Sequence, residues 1–385
     1  MKQLYYYLSL IIIILFLSSC TKKEITITKT NKEKIIKLGY QGGKGTYYDN
    51  VLKKTVFTYV NVESENRMDL FDEDFNHIQT ININPKIPYL FNALVLVPFA
   101  HDSIIALIKA PSFCKAYVLN FKGEIIREVF HKEWFDKYSD VFLLVPFYGV
   151  NQSYSNGKFY VGYKVARNRD KYYYKGDYSQ GYVPYIDSLI LNSGCIASFD
   201  LDSLNVTQHL KNVYKENYKK GDFIPEYPYY FIQHDKVFVP IPHNGRVYVY
   251  DTKKDTIVKD FYIKSKYGKI GMDTVFKHDK DRVPDFFKTR SISGKILSIA
   301  WDRYRKLYYF TLVPSGKDIE KLNFIIQVYD EDFDLRGETI GGKVRNYRAG
   351  NLKVNKEGLW INHNNPYGDN YERGVEKYNL FTIDD

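Results

Sequence analysis

The side chains of this 385-residue sequence with the clearest chemical potential are acidic residues that alternate along short turns. Asp330, Asp332 and Asp334 have the spacing of the first ligands of a calcium loop. Such a loop also needs Gly at its sixth position, where this sequence has Leu335, and Glu at its twelfth. The mismatch predicts a hairpin turn whose Asp accepts local backbone hydrogen bonds. The similar run that begins at Asp72 is interpreted in the same way.

His-Asp pairs are the candidates for acid–base chemistry, which needs a proton acceptor held beside a donor. His101-Asp102 and His234-Asp235 stand at the same place in an internal repeat, just before a predicted strand. Because one active site does not need two equivalent copies, these pairs are predicted to form turns. No H-x-x-x-H spacing brings His side chains together as metal ligands. We therefore expect neither a metal nor another cofactor, and we assign no catalytic residue.

Motifs for nucleophilic attack and for phosphate binding are also absent from the sequence. There is no G-x-S-x-G elbow, and the glycine-rich run Gly42–Thr46 lacks the spacing of a phosphate-binding loop. Of the three Cys residues, Cys114 and Cys195 fall at equivalent places just before the third strand of neighbouring repeats. Such positions are too far apart for a disulfide, so two buried thiols are expected.

Aromatic side chains are unusually frequent, with 37 Tyr and 25 Phe. Many lie in two long insertions, near residues 167–191 and 262–289, and long loops on a rigid scaffold often carry function. Tyr can stack on sugar rings or grip peptides, and packing of the loop onto its own repeat is the alternative. The candidate ligand-binding residues are Tyr172, Tyr173, Tyr174, Tyr178, Tyr182 and, at a channel mouth, Trp301.

The elements that would position these side chains are short strands in a repeating unit. A strand that ends in an Asp or Asn turn and is followed by another strand occurs five times and begins a sixth time. Three intervals between these turns are near 50 residues and two are about 30 residues longer, which is the period of propeller blades. The turn residues are Asp72, Asn120, Asp200, Asp251, Asp330 and Asp384.

The last repeat stops after its third strand, which leaves one sheet edge without a partner. The N-terminal strand Lys34–Leu38 could supply the missing outer strand and close the ring. The sequence therefore predicts an all-β protein, a β-propeller of six blades closed by the N-terminal strand. A seventh blade within an insertion is the alternative.

The N-terminal residues 1–19 are typical of a signal peptide. Lys2 precedes an apolar run of about 14 residues, which is short for a spanning helix. The run ends at Leu17–Cys20, which looks like a bacterial lipobox in which Cys20 is acylated. An ordinary signal peptide or membrane anchor that contains a Cys is the alternative. Residues 20–34 are expected to form the lipidated Cys and a polar tether, and residues 35–385 the propeller domain.

The net charge of +10 is spread along the chain and does not mark one surface. Export argues against nucleic acid as a partner. The remaining candidate partners are the membrane, which the lipid anchor would contact, and a glycan or a protein. The oligomeric state is left open. Thr21 in place of Asp after Cys20 favours the outer membrane, and the mostly basic run that follows slightly favours the periplasmic side over the cell surface.

The lipobox, the six repeats and turns such as Tyr329–Phe333 together resemble Bacteroides-type lipoproteins of unknown function with a six-bladed β-propeller-like domain. The resemblance covers the mature chain and implies a fold and a location, but no activity. We expect a non-catalytic binding or scaffold module of the cell envelope. The alternatives are a propeller-type lyase or hydrolase that acts on an extracellular glycan, and a structural partner of an outer-membrane transport complex.

Overall fold

A computed structural model describes most of the chain between Glu24 and Asp384. The first strand, β1 (Thr26–Lys37), belongs to the last blade, so the first blade begins with the second strand. The described ranges are 24–40, 42–49, 51–61, 67–87, 94–109, 114–129, 141–144, 154–165, 191–201, 205–219, 230–241, 244–271, 294–316, 318 and 321–384.

Six antiparallel sheets form the blades of a six-bladed β-propeller, as the repeats predict. In blades 1 to 5 the strand that comes first in the chain is the innermost, whereas in blade 6 the N-terminal β1 is the outer strand. Blade 1 contains β2 (Gly42–Asp49), β3 (Lys54–Asn61), β4 (Arg67–Phe71) and β5 (His77–Asn82). Blade 2 contains β6 (Leu94–Ala100), β7 (Ser103–Lys109), β8 (Cys114–Leu119) and β9 (Ile125–Glu128). Blade 3 contains β10 (Val141–Leu144), the short β11 (Tyr154–Ser155), β12 (Lys158–Val165), β13 (Ile196–Phe199) and β14 (Thr207–His209).

The other three blades follow the same order. A short helix, α1 (Val213–Asn217), precedes blade 4, which contains β15 (Phe231–Gln233), β16 (Lys236–Ile241), β17 (Arg246–Asp251) and β18 (Thr256–Tyr262). Blade 5 contains β19 (Lys295–Asp302), β20 (Leu307–Val313), β21 (Asn323–Tyr329) and β22 (Leu335–Lys343). Blade 6 contains β23 (Arg348–Asn355), β24 (Gly358–Asn362) and β25 (Val375–Asp384), with β1 as its outer strand.

The acid-rich turns join the third strand of a blade to the fourth. In blade 5 the Asp330 carboxylate accepts hydrogen bonds from the backbone N–H groups of Asp332 (3.1 Å) and Asp334 (3.0 Å). Phe333 has a φ of 62°, which closes the turn. The prediction that these residues form hairpin turns is confirmed. The equivalent turns of blades 1 and 2 begin at Asp72 and Asn120.

The N-terminal strand closes the ring. β1 pairs antiparallel with β25 from Thr26 opposite Asp384 to Lys37 opposite Val375, which confirms the predicted closure. The strand begins at Thr26, however, so residues 26–34 are not part of a tether. Ile25 and Ile27 are buried in the core between blades 5 and 6, which holds this segment in place. Its Lys and Thr residues belong to an outer strand that has one face in water.

The core consists of apolar layers between neighbouring blades, because each sheet buries both faces against the next. The layer where the ring closes, between blades 6 and 1, is rich in aromatic rings. The Trp360 ring there packs 5.4 Å from Phe75 and donates a hydrogen bond from Nε1 to Asn355 Oδ1 (3.0 Å). Other buried rings of this layer are Phe57, Tyr59, Phe71 and Tyr378.

The alternating strand direction gives the ring two different faces. We call the side with the first-to-second and third-to-fourth turns the hairpin face, and the opposite side the connection face. Both predicted insertions are attached at the connection face, one between β12 and β13 and the other between β18 and β19. β1 enters the ring at the hairpin face, since Thr26 pairs with the last residue of β25. Within the described ranges, no helix combines the length and hydrophobicity that crossing a bilayer requires.

Candidate functional site

Five polar side chains converge where blade 6 meets blade 1, near the connection face. Arg348 is the first residue of β23, Asn362 the last of β24 and Glu376 the second of β25, so all three lie at that end of blade 6. Lys44 comes from β2 of blade 1, and Lys353 from the middle of β23. We call these five residues the closure cluster, because ring closure brings them together.

Glu376 is the only carboxylate of the closure cluster, and it is buried. Lys44 Nζ lies 2.5 Å from Glu376 Oε2, and Asn362 Nδ2 donates to the same oxygen. Arg348 Nη1 lies 3.8 Å from Oε1, and Asn351 Nδ2 lies 3.4 Å from Oε2. Every one of these partners is a hydrogen-bond donor. Burying this carboxylate is therefore offset by charged and polar donors from blades 1 and 6.

Lys353 is buried, and none of the carboxylates that the structure describes is in hydrogen-bond contact with it. Its Nζ donates to the backbone oxygen of Gly45 (2.5 Å) and to Thr46 Oγ1 (3.1 Å), and lies 4.8 Å from the centre of the Phe57 ring. Burial lowers the pKa of Lys353 to about 7, and the nearby Lys44 ammonium acts in the same direction. Lys353 thus joins the inner strands of blades 6 and 1 at the cost of desolvating an amine.

Lys44 has a pKa that is lowered to about 8, because burial outweighs its attraction to Glu376. Three basic side chains, those of Lys44, Arg348 and Lys353, therefore surround one carboxylate, and the cluster has excess positive charge while the amines are protonated. Arg348 and Asn351 are only half-buried. Through Arg348, with Asn351 beside it, the closure cluster is in contact with solvent.

Two tyrosines support the cluster from the core side. The Tyr59 and Tyr378 hydroxyls are 2.9 Å apart, and Asn351 Nδ2 donates to the Tyr378 oxygen (3.1 Å). Burial raises the pKa of both phenols, so both remain neutral near pH 7. They fix the amide of Asn351 without adding charge. The arrangement can attract and orient an anion, and its one carboxylate is buried among donors and is not exposed to solvent.

Trp301, the predicted ligand-binding residue at the channel, is the second-last residue of β19 and lies toward the hairpin face. Its ring is 4.5 Å from the Tyr308 ring and 5.6 Å from the His234 ring, and its backbone N–H donates to Gln233 Oε1 (3.2 Å). It packs between blades 4 and 5, so its role in binding stays a prediction. Cys20 lies outside the described residues. So do the other predicted binding residues, which are Tyr172, Tyr173, Tyr174, Tyr178 and Tyr182.

The two repeated His-Asp pairs form turns at the hairpin face, as predicted. His234 Nδ1 lies 2.9 Å from Asp235 Oδ2, and His101 Nδ1 lies 2.9 Å from Asp49 Oδ2 of the preceding blade. Positive φ angles at Asp102 and His234 mark both as two-residue hairpin turns. The pairs are well separated and partly exposed, and neither adjoins the closure cluster.

Cysteine chemistry is not part of the site. Cys195 is buried just before β13, and burial raises the pKa of its thiol to about 12, so it is unreactive. This agrees with the predicted buried thiol. Cys114 is the first residue of β8, and its side chain lies outside the described part of the structure.

Sequence reasoning missed the closure cluster. A signal was present, because Lys353 stands between Leu352 and Val354 in a strand where every side chain from 352 to 355 is buried. A lysine in such a position indicates a specific partner or a function. Its hydrogen-bond partners, however, come from β2, more than 300 positions earlier in the chain, and only the closed ring reveals which residues they are.

The fold defines the class of protein, a six-bladed β-propeller. Comparison with family models and with curated proteins gives no match for the chain. Among solved structures it is similar to the crystal structure of a duf4221 family member from Bacteroides vulgatus. The two share 16% sequence identity over 95% of this chain and 100% of that chain, with a TM-score of 0.73. This supports the resemblance to Bacteroides proteins of unknown function at the level of the fold.

Two further solved structures are more distant. A Bacteroides fragilis protein that is described as exported shares 10% identity over 94% of both chains, with a TM-score of 0.46. Raptor from Chaetomium thermophilum shares 8% identity over 92% of this chain and 24% of that chain, with a TM-score of 0.41. Similarity at this level says nothing about ligands or partners.

Proposed function

We propose that the protein is an exported lipoprotein, anchored through Cys20, whose propeller is a non-catalytic module that binds an anionic ligand at the closure cluster. The observation that carries the proposal is the arrangement of Lys44, Lys353 and Arg348 around the single carboxylate of Glu376. The half-buried Arg348 guanidinium offers solvent-facing donors for a carboxylate or sulfate group. An acidic glycan or an acidic peptide segment has this chemistry.

Binding is favoured over catalysis by the way in which the cluster uses its groups. Glu376 is buried, with hydrogen bonds at Oε2 and the Arg348 guanidinium 3.8 Å from Oε1, and Lys353 is hydrogen-bonded to blade 1. A general base needs to be within reach of a substrate proton. The exposed part of the cluster is the Arg348 guanidinium, which has donors only, and this suits an anion that remains unchanged.

Binding is tested by thermal unfolding of the mature chain with acidic and neutral oligosaccharides of the same length. A ligand at 100 times its dissociation constant adds about 2.7 kcal/mol of stability, which raises Tm by a few degrees. We expect this shift with an acidic oligosaccharide, and a smaller shift for the R348M variant. K356M, which removes an exposed lysine of the hairpin face, is the matched control. Equal shifts for R348M and the wild type would contradict the site.

Anchoring is tested separately, by the mass of the N-terminal peptide from membranes. We expect acyl chains on Cys20 and none in the C20S variant, since the sulfur is the acyl acceptor. Protease treatment of intact cells tests the location, and protection is expected for the periplasmic side of the outer membrane. An intact signal peptide on the membrane-bound protein would contradict the lipoprotein assignment.

A second candidate function is a lyase or hydrolase that acts on an acidic glycan. It is favoured by one observation, the lowered pKa of Lys44, which makes its neutral amine a proton acceptor near pH 8. Mass spectrometry of acidic oligosaccharides after incubation with the wild type and with K44M distinguishes the two functions. New products that require Lys44 support the enzyme, and an unchanged ligand supports the binding module.

A further inference from the structure

We propose that the hairpin face of the propeller docks on the membrane surface, through a patch on the turns of blades 1 and 5. The patch consists of exposed side chains that we call the turn-tip patch: Val51, Leu52, Lys53, Lys54, Arg303 and Tyr304. The inference rests on the proposed lipid anchor and adds an orientation and a contact surface to it. The occupant of the patch is the bilayer itself.

The first step is the short distance between Cys20 and the folded ring. Ile25 is buried, and its backbone N–H donates to the Arg336 oxygen of blade 5 (2.7 Å). Thr26 already pairs with Asp384 at the hairpin-face end of β25. Five residues from Cys20 to Ile25 span at most about 18 Å when fully extended. An acyl anchor on Cys20 therefore holds the hairpin face close to the lipid headgroups, and the connection face points away.

The second step is the apolar character of the turn tips. Val51 and Leu52 are 66% and 52% exposed, and Tyr304 is 44% exposed. The blade 1 turn is fixed by Asp49, whose Oδ1 accepts hydrogen bonds from the backbone N–H groups of Val51 (2.8 Å) and Leu52 (2.9 Å). This turn needs no apolar side chain at its tip, where polar residues are usual. Two adjacent exposed aliphatic residues at this place indicate a contact surface.

The third step is the link between the two turns. The Arg303 guanidinium lies 3.9 Å from the centre of the Tyr48 ring in blade 1, and Arg303 Nη2 donates to the Tyr48 hydroxyl (2.8 Å). The Tyr304 hydroxyl donates to Glu73, also in blade 1. The blade 5 turn is thereby held against blade 1, next to the strand that leads to Val51. The two turns form one surface.

The fourth step is the chemistry of that surface. Lys53, Lys54 and Arg303 are exposed and place positive charge beside the aliphatic tips. Aliphatic and Tyr side chains enter the headgroup region, while Lys and Arg are attracted to anionic headgroups. A surface that carries both kinds of side chain fits a bilayer better than a neutral protein partner.

The proposal is tested on the acylated protein in vesicles of phosphatidylcholine and phosphatidylglycerol. A fluorophore is attached at L52C on the hairpin face or at Y367C on the connection face, where Tyr367 is 79% exposed. We expect lipids that carry a quencher near the headgroup to quench the label at position 52 several-fold more than the label at position 367. Equal quenching, or stronger quenching at position 367, overturns the orientation.

A second measurement does not depend on acylation. The mature chain with C20S is mixed with the same vesicles, and bound protein is separated by sedimentation. We expect V51S/L52S to reduce the vesicle-bound fraction about fivefold, because two apolar contacts are lost, and Y367S to leave it unchanged. Equal binding of V51S/L52S and the wild type overturns the patch. The patch is also overturned if the protein forms a dimer in solution, the V51S/L52S variant dissociates that dimer, and vesicle binding is unchanged.

The two measurements separate the inference from the proposed function. If Cys20 carries no acyl chain but V51S/L52S loses vesicle binding, the anchor is wrong and the docking patch stands. If Cys20 is acylated but the label at Leu52 is not quenched, the anchor stands and the docking patch is wrong.

Discussion

At the scale of single residues, the most unusual feature is a lysine enclosed by the core. Lys353 has backbone and hydroxyl oxygens as partners, and within the described part of the chain no carboxylate in hydrogen-bond contact balances its charge. Burying an ammonium group without such a counter-ion is costly, so the neutral form is favoured in the folded state. The neighbouring Lys44 adds repulsion. Proton binding at this point is therefore linked to stability.

The sign of this linkage follows from the lowered pKa of Lys353, about 7 when folded against 10.5 for an ordinary lysine. Between these values the unfolded chain binds a proton that the folded chain does not bind. The stability of the wild type should therefore rise with pH from about 7 to 10, relative to K353M, by at most about 1.4 kcal/mol per pH unit. Urea denaturation at several pH values measures the difference. A parallel pH dependence for the two proteins would refute the linkage.

The Lys44–Glu376 pair should be strongly coupled, because both side chains are buried. We expect E376Q to lower the free energy of unfolding by about 3–5 kcal/mol, since it leaves Lys44 buried without a counter-ion. The double variant K44M/E376Q should lose less than the sum of the two single variants. The exposed pair of Lys32 and Glu357 is the control, and E357Q should cost no more than about 1 kcal/mol. A strictly additive double variant would show that the pair is not coupled.

At the scale of elements, the turns between the third and fourth strands tie one blade to the next. Gly123 in the blade 2 turn has a φ of 81°, and a Cβ there would lie 1.8 Å from the backbone oxygen of Asn82 in blade 1. The Asn84 N–H donates to the Gly123 oxygen (3.1 Å), so the backbone segments of the two blades are in direct contact. The turn is thus part of the contact between blades 1 and 2.

A pair of glycine variants measures this contact. Gly157 has nearly the same φ, 79°, with no atom within 4 Å of its added Cβ. G157A should therefore cost about 1 kcal/mol, from backbone strain alone. G123A should cost at least about 2 kcal/mol more, because the backbone of blade 1 must move. Equal losses in thermal or urea unfolding would mean that the close approach at Gly123 is not maintained in solution.

The elements could be predicted far better than the site. Repeated Asp and Asn turns were sufficient to place the third and fourth strands of blades 1 to 5, because alternation and turn chemistry are local properties of the chain. The start of β1 at Thr26 was not predicted, since its buried Ile25 and Ile27 stand among Lys and Thr residues. Lys44 and Glu376 are 332 positions apart in the chain. No local pattern can relate residues so distant, so the closure cluster required the closed ring.

At the scale of the whole molecule, one strand determines whether the ring is closed. Ile36 of β1 is 5% exposed and packs in the core between blades 6 and 1, whereas its neighbour Ile35 is 53% exposed. We expect I36A to lower the free energy of unfolding of the whole propeller by about 2–4 kcal/mol. I35A should change it by no more than about 0.5 kcal/mol. Chemical denaturation compares the two, and equal effects would show that β1 contributes little to closure.

The geometry of β1 also has a mechanical consequence. The strand leaves the ring along its own axis, and its hydrogen bonds to β25 extend from Thr26 to Lys37 with one irregularity near Thr30. A force that pulls the propeller away from an anchored N-terminus would act parallel to the strand, across hydrogen bonds that lie perpendicular to it. All of these bonds would carry the load together instead of breaking one after another. The strand that closes the propeller is thus also placed to resist its detachment.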